Sequence, residues 1–242
     1  MYRKITLFII PLIFSFFFIE NSYAQKGKNL KPNITPIYFT AGFDGHLLSS
    51  ATIKKGNNDP VFAVPRYTGF FHISTNMHYD FSNNVGAFLG LGIKNIGFIE
   101  KFKDVDSTVI RRTYSLTIPL GLKFGNFNRG NYGFIGGGID LPFHYKEKGF
   151  VKRNDKTKYR EWFSNRTEPV HPYVFVGAHL HPGLAIKLQY YPTNYMNTEY
   201  TTQREVAGVM EEFKPYQDYQ VNLIVLSLGI NIKYTPKPYW DK

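Results

Sequence analysis

The chain contains no cysteine among its 242 residues. This excludes disulfide frameworks, thiolate metal sites, thiol catalysis and a lipid-modified cysteine. The patterns GxGxxG, GxxxxGK[ST], HExxH and GxSxG are also missing. The one glycine run, Gly136-Gly137-Gly138, falls inside a predicted strand and not in a phosphate-binding loop. We therefore expect no catalytic residues, no metal and no cofactor.

Long apolar runs are scarce as well, and the one that exists lies near the N-terminus. It spans Ile5 to Ile19, follows Arg3 and Lys4, and precedes Ser22-Tyr23-Ala24. A basic start, a short apolar run and small residues at the cleavage positions are typical of a secretory signal peptide. The run is shorter than the roughly 20 residues of a spanning helix. Residues 1–24 are therefore predicted to be a cleavable signal peptide, and the protein to be exported.

The rest of the chain has an apolar period of 2, which is typical of strands. The clearest case is the last segment, where Ile224, Leu226, Leu228 and Ile230 alternate with small or polar residues. Segments of this kind predict about eight strands of roughly ten residues, the length that crosses a bilayer at a tilt. They are Ile37–Leu48, Tyr67–Phe81, Val85–Ile93, Tyr114–Phe124, Ile135–Tyr145, Val174–Leu180, Leu184–Tyr190 and Ile224–Tyr234.

The connections between these strands alternate in length. Ser82–Asn84, Gly125–Gly130 and His181–Gly183 are short, and the connections between them are longer. Outer-membrane barrels have short periplasmic turns and longer outer loops. The sequence thus predicts an all-β fold: a closed antiparallel up-and-down transmembrane β-barrel over residues 37–234. Residues 25–36 and 235–242 are predicted to be an N-terminal periplasmic segment and a C-terminal periplasmic tail.

The two faces of the predicted sheet differ in character. One face is large and apolar and ends in tyrosines, which suit the two water–lipid boundaries. The other face combines glycine with a few pairable polar groups, which fits a narrow lumen filled with side chains. A soluble lipocalin-like carrier, with the apolar face inside, is the alternative. The predicted lumenal network consists of Asp44, His46, His72, Asn76, Lys94, Lys123, Asp140, His144, Lys187, Asn231 and Lys233.

The segment Arg112 to Phe124, RTYSLTIPLGLKF, with its Ile-Pro pair and the glycine-rich strands around it, resembles a known group. It is similar to the mid-barrel strand of the small outer-membrane β-barrel proteins common in Bacteroidota. The resemblance implies an outer-membrane barrel of a Gram-negative cell envelope, and some similar proteins are accessory parts of secretion machinery. It brings no catalytic residues with it.

Histidine and aspartate in the lumen could carry chemistry. Asp44 is predicted to lie opposite His72 if the hairpin register holds, with His46 nearby and Asp140 on the face of His144. A His–Asp pair can supply the general base of a catalytic site or ligands for a metal ion. We weigh this against ordinary hydrogen bonding in a narrow lumen, which needs no function. The enzymatic alternative is an outer-membrane enzyme acting on lipid or peptide at the outer rim through His46, His72 and Asp44.

Charge is concentrated in the predicted outer loops, and the whole chain carries +11. Residues Lys146 to Glu168 are mainly basic, and the last loop is mainly acidic. The two could pair with each other, or the basic loop could bind outer-membrane glycolipid or an envelope protein partner. Nucleic acid is excluded for an exported barrel. The binding candidates are Lys152, Arg153, Lys158, Arg160 and Trp162. The expected function is thus that of a non-enzymatic outer-membrane protein with a structural or partner-binding role, for example as an accessory of an envelope or secretion complex.

Overall fold

A computed structural model describes residues 37–69, 72–102, 106–151, 155–206 and 208–234. The predicted signal peptide and both predicted periplasmic segments lie outside these residues. The described residues form thirteen strands. They are β1 Ile37–Lys55, β2 Val61–Phe62, β3 Arg66–Gly69, β4 Ile73–Asp80, β5 Val85–Phe102, β6 Ser107–Asn126, β7 Asn131–Val151, β8 Asp155–Trp162, β9 His171–Leu180, β10 Leu184–Tyr190, β11 Thr202–Val206, β12 Val209–Phe213 and β13 Tyr219–Tyr234.

Eight of the strands form a closed antiparallel ring. Their order is β13-β10-β9-β7-β6-β5-β4-β1, and β13 pairs back onto β1 over its full length. Closure leaves the ring without an open edge, so each strand finds backbone partners on both sides. Every predicted strand overlaps a strand of this ring, but the predicted strand Tyr67–Phe81 divides into β4 and the separate β3, which pairs with β1 off the ring order. The predicted fold, an up-and-down barrel of eight strands, is confirmed.

The two ends of the barrel differ, as the connection lengths predict. Three tight turns join β4 to β5, β6 to β7 and β9 to β10. The second contains a 3-10 turn, Phe127–Arg129, which Gly130 closes in a left-handed conformation. We call the end with these three turns the turn end, and the opposite end, where all long connections lie, the loop end.

The outward surface around the ring is aliphatic. Ile73, Leu120 and Ile232 are 64%, 60% and 65% exposed, whereas His72 and Gly121, next to the first two on the inward side, are buried. A water-facing surface of this size would be an extreme apolar patch for a soluble protein, whereas in lipid it costs nothing. The soluble lipocalin-like alternative is therefore wrong, because it requires these rows to lie inside. The barrel is a transmembrane one.

An aromatic layer fills the lumen between its polar groups. Phe88 and Phe175 lie in one cross-strand row with Gly121 and Gly136 between them, in the order β5, β6, β7 and β9. A Cβ atom on Gly136 would lie 2.2 Å from the carbonyl oxygen of Leu120 and 2.6 Å from Cζ of Phe175. The rings therefore occupy the volume that these glycines leave free, and this explains the glycine content of the inward face.

Several segments that the sequence assigns to loops are strands. β1, β5, β6 and β7 continue past the apolar rows toward the loop end, and β8 returns along β7. The last loop also contains a hairpin of its own, β11 with β12. The barrel therefore carries a paired, sheet-like extension, formed by the outer parts of β5, β6 and β7 with β8, beyond the membrane-facing part. The apolar alternation stops at the end of the membrane-facing part, whereas the backbone pairing of the strands continues beyond it.

No helix in the described part of the chain is long and apolar enough to cross a membrane.

Candidate functional site

The predicted lumenal network separates into three groups. At the turn end, Lys123 Nζ lies 2.5 Å from Asp80 Oδ1 and 2.5 Å from the Tyr38 hydroxyl. Lys233, also predicted for the lumen, is exposed there, and its Nζ lies 4.2 Å from the centre of the Tyr38 ring. This group covers the turn end of the aromatic layer with paired charges.

The second group joins Asp44 and His72, whose juxtaposition was expected from the strand register. The Asp44 carboxylate contacts Nδ1 of His72, and Lys187 Nζ lies 3.3 Å from the same carboxylate oxygen. Asn76 and Asn231 line the same cavity, which holds about 50 Å³. That volume admits no more than a few water molecules. The His–Asp pair thus faces a small cavity that polar side chains and aromatic rings line together.

The third group is a fully buried ion pair nearer the loop end. Lys94 Nζ lies 2.9 Å from Asp140 Oδ2, and both side chains are 0% exposed. The Tyr191 hydroxyl donates to the same carboxylate oxygen across 2.7 Å, and Lys94 lies 3.9 Å from the centre of the Tyr173 ring. An isolated buried charge would cost several kcal/mol, so this pairing is what makes the lysine tolerable.

One predicted lumenal histidine, His144, lies on the other face of the sheet. The register of β7 against β6 shifts between Tyr114 and Ser115, so that His144 pairs with Tyr114 on the outward face. Its ring stacks on Trp162 at 4.3 Å and on Tyr114 at 5.6 Å. His144 is therefore not lumenal, and it does not share a face with Asp140. A second bulge in β1 gives His46 the register position opposite Leu228; its side chain lies outside the described structure.

The last loop folds back into the loop end of the lumen. Tyr191, Tyr195 and Met196 are almost fully buried. The Tyr195 hydroxyl donates to Thr113 across 3.0 Å, and its ring stacks on His171 at 4.9 Å. Sequence reasoning missed this plug, because a loop tyrosine carries no alternation that would mark it as buried.

An ion cluster closes the extension above the plug. Glu100 accepts from Lys55 at 2.6 Å and from Arg111, which also reaches Glu147 at 3.2 Å. The Tyr145 hydroxyl donates to Glu147 across 2.6 Å. Although burial opposes it, the surrounding Tyr145, Glu100 and Glu147 raise the pKa of Arg111 above its ordinary value. The cluster therefore fixes the inner face of the extension by charge.

Three of the predicted binding residues lie on the opposite, outward face of the same extension. Lys158, Arg160 and Trp162 are exposed and alternate along β8. Lys152 and Arg153 lie outside the described residues. Within the described residues, no group of three or more His, Asp or Glu side chains is placed to hold a metal ion.

No protein-family model and no curated protein matches the chain. Among solved structures, it is similar to Ail, the attachment invasion locus protein of Yersinia pestis, at 14% identity and a TM-score of 0.33, over 81% of this chain and 97% of that one. Neisserial surface protein A gives 10% identity and a TM-score of 0.38, over 83% and 98%. The outer membrane protein AlkL gives 12% and 0.39, over 90% and 100%. Similarities this distant say nothing about function, which rests on the residues of this chain.

Proposed function

We propose that the protein is a non-enzymatic outer-membrane barrel that binds a partner through its loop-end extension. One observation carries the proposal: the lumen is packed at three levels, while β5, β6, β7 and β8 continue past the apolar rows as a paired sheet. A barrel of this width has little space for transport, and an ordered extension offers a rigid surface for recognition. In this proposal the loop end lies outside the cell and the turn end in the periplasm.

The ion cluster of Glu100, Arg111 and Glu147 supports the proposal because it makes the extension rigid. A surface that is already ordered loses little conformational entropy on binding. We further propose that the chain is of the type common in Bacteroidota, on the basis of the Tyr114–Phe124 segment, and that its partner belongs to the cell envelope. A role as an accessory of an envelope or secretion complex fits the same surface.

The enzymatic alternative rests on Asp44 and His72. Both side chains are buried, and Lys187 already forms an ion pair with the Asp44 carboxylate. A general base must reach the proton that it removes from a substrate, and a lipid or peptide at the outer rim would first have to pass the buried Tyr191 and Tyr195. A His72→Ala variant separates the two readings: it leaves the biological phenotype intact in a structural role and abolishes it in a catalytic one.

Membrane insertion and orientation can be tested together in cells. An epitope inserted after Gly208, in the β11–β12 turn, should be detected on intact cells, and one inserted at Asn83, in the β4–β5 turn, only after permeabilisation. The protein should also resist carbonate extraction and migrate faster on gels before boiling. Release by carbonate, or the reverse epitope pattern, would contradict the proposal.

A further inference from the structure

Charge is sorted by face on the β7–β8 hairpin. On β7, Tyr145 and Glu147 face the inner ion cluster, so the alternating Lys146 and Lys148 face outward. By the same alternation on β8, Tyr159 and Glu161 face inward and the basic residues that alternate with them face outward. Glu147 and Glu161 therefore face inward, and the outer face of the hairpin carries basic side chains. A random loop of mixed charge would show no such separation.

The outward residues form cross-strand rows over β6, β7 and β8. An aromatic row, Tyr114–His144–Trp162, comes first, and the row Arg112–Lys146–Arg160 follows two residues farther from the apolar rows. Lys148 and Lys158 lie directly opposite each other in the next row, and Lys156 comes after it. We call the six cations together the basic patch: Arg112, Lys146, Lys148, Lys156, Lys158 and Arg160.

No carboxylate whose side chain the structure describes forms an ion pair with the basic patch. The expected pairing with the acidic last loop is absent from the ion pairs of the described part of the chain, where Glu199 instead contacts Lys214 of its own loop. Lys146 and Lys156 lie over the rings of Tyr114 and Phe150, at 4.6 and 5.7 Å from the ring centres. The patch thus has aromatic contacts and no counter-charge from these residues.

Keeping these cations together carries an electrostatic cost. Like charges directly opposite each other on neighbouring strands are destabilising, and Lys146 faces Arg160 just as Lys148 faces Lys158. Arg112 lowers the pKa of Lys148, and burial, Lys156, Lys158 and Arg160 add to the effect. A bound anion would remove this repulsion, so the arrangement is that of a site for polyanionic groups.

The height of the patch indicates where the anion lies. Successive outward residues are about 6.6 Å apart along a strand, or about 5 Å along the membrane normal at a tilt of about 40°. The row with Arg112 therefore lies about 5 Å above the aromatic row, and the row with Lys148 about 10 Å above it. Aromatic rows mark the water–lipid boundary, and the headgroup region beyond it is about 5–8 Å thick on each side. The row with Arg112 therefore faces sideways at headgroup depth, and the row with Lys148 lies just above it.

From this geometry we infer that the basic patch binds the phosphate groups of an outer-leaflet glycolipid, a conclusion that rests on the proposed outer-membrane location. Arg112 and Arg160 present planar guanidinium groups that can grip a phosphate through two hydrogen bonds. Lys146 lies between them as a point charge. The exposed Trp162 below can contact the sugar that carries the phosphate. The protein thereby orders glycolipid on one side of the barrel.

The test compares two triple variants of the full chain in lipid nanodiscs. Arg112→Gln/Lys146→Gln/Arg160→Gln removes one row of the patch, and Lys54→Gln/Lys101→Gln/Arg204→Gln removes three exposed cations elsewhere. Each protein is first checked for heat-modifiable migration. Retention of bisphosphorylated lipid A, of dephosphorylated lipid A and of heparin is then measured by native mass spectrometry.

The wild-type protein and the control variant should retain bisphosphorylated lipid A, with at least about tenfold weaker retention by the patch variant. Dephosphorylated lipid A should bind weakly to all three proteins. Equal retention by the patch variant, or an equal loss in the control, overturns the inference. Heparin binding that depends on the patch, with lipid A unaffected, also overturns it and favours a soluble polyanion. Loss of heat-modifiable migration in the wild-type protein would instead contradict the proposed membrane function.

Discussion

Tyr191 donates its hydroxyl hydrogen to Oδ2 of Asp140 across 2.7 Å, and Lys94 lies 2.9 Å from the same oxygen. A residue of the last loop thus completes an ion pair in the middle of the barrel. The position of that loop and the stability of the lumen are therefore coupled through one carboxylate.

The first prediction concerns this carboxylate. Asp140→Asn leaves Lys94 buried without a counter-charge and should lower the free energy of unfolding by about 3–5 kcal/mol. The double variant Lys94→Met/Asp140→Leu removes both charges and should recover most of the loss. Urea unfolding in detergent micelles, followed by tryptophan fluorescence, measures both. If Asp140→Asn were as stable as the wild-type protein, the ion pair would not hold the lumen as described.

The second prediction compares two glycines of β7, Gly136 and Gly133. Gly136→Ala places a methyl group against the Leu120 carbonyl and the Phe175 ring, so it should destabilise the barrel by about 1–3 kcal/mol or prevent folding. The control is Gly133→Ala, whose Cβ would have no neighbour closer than 3.8 Å. The fraction that migrates fast before boiling reports folding. Equal behaviour of the two variants would contradict the packing of rings over glycines.

The third prediction contrasts two members of the ion cluster on the inner face of the extension. Glu100→Gln leaves the buried Arg111 with one carboxylate fewer and should cost about 3–5 kcal/mol. Lys55→Gln should cost about 0–1 kcal/mol, because the Lys55 side chain is 35% exposed. Thermal unfolding in micelles gives the order. A larger effect of Lys55→Gln would show that the cluster does not depend on its buried acid.

The fourth prediction is the pH behaviour of Lys148. Because Arg112 is the largest cause of its lowered pKa, Arg112→Gln should raise the pKa of Lys148 toward that of an ordinary lysine. Its charged form is disfavoured in the folded protein, so the repulsion is present below the lowered pKa and is relieved as the pH rises through it. NMR titration of the Lys148 side chain measures the pKa. An unchanged value in Arg112→Gln would mean that the rows are farther apart than the register indicates.

Sequence patterns predicted the ring because lipid imposes strict alternation on the outward residues. Alternation of the two faces also brought Asp44 and His72 together, because the pairing of β1 with β4 stays regular up to their neighbours Phe43 and Ile73. It failed for His144 because the register shift beside Ser115 turns every later residue of β7 to the other face. A bulge of this kind has no reliable sequence signal.

The extension was missed for a different reason. Beyond the lipid, the alternation of β7 and β8 is one of charge and not of hydropathy, as in Tyr145-Lys146-Glu147-Lys148. Sorting the charges by parity would have revealed it. The contact between Tyr191 and Asp140 could not be predicted in this way, because it joins a loop to a distant strand through tertiary packing alone.

The central claim is that the aliphatic rows face lipid, and it can be measured on the unmodified protein. Acyl chains that carry a photoreactive diazirine, in vesicles with the folded barrel, insert into whatever side chains they touch, and mass spectrometry locates the products. Along β6, labelling should alternate, with products at Leu120 and Leu122 and none at Thr117 and Lys123. Products on the lysine and threonine rows, with the leucines unlabelled, would contradict the account.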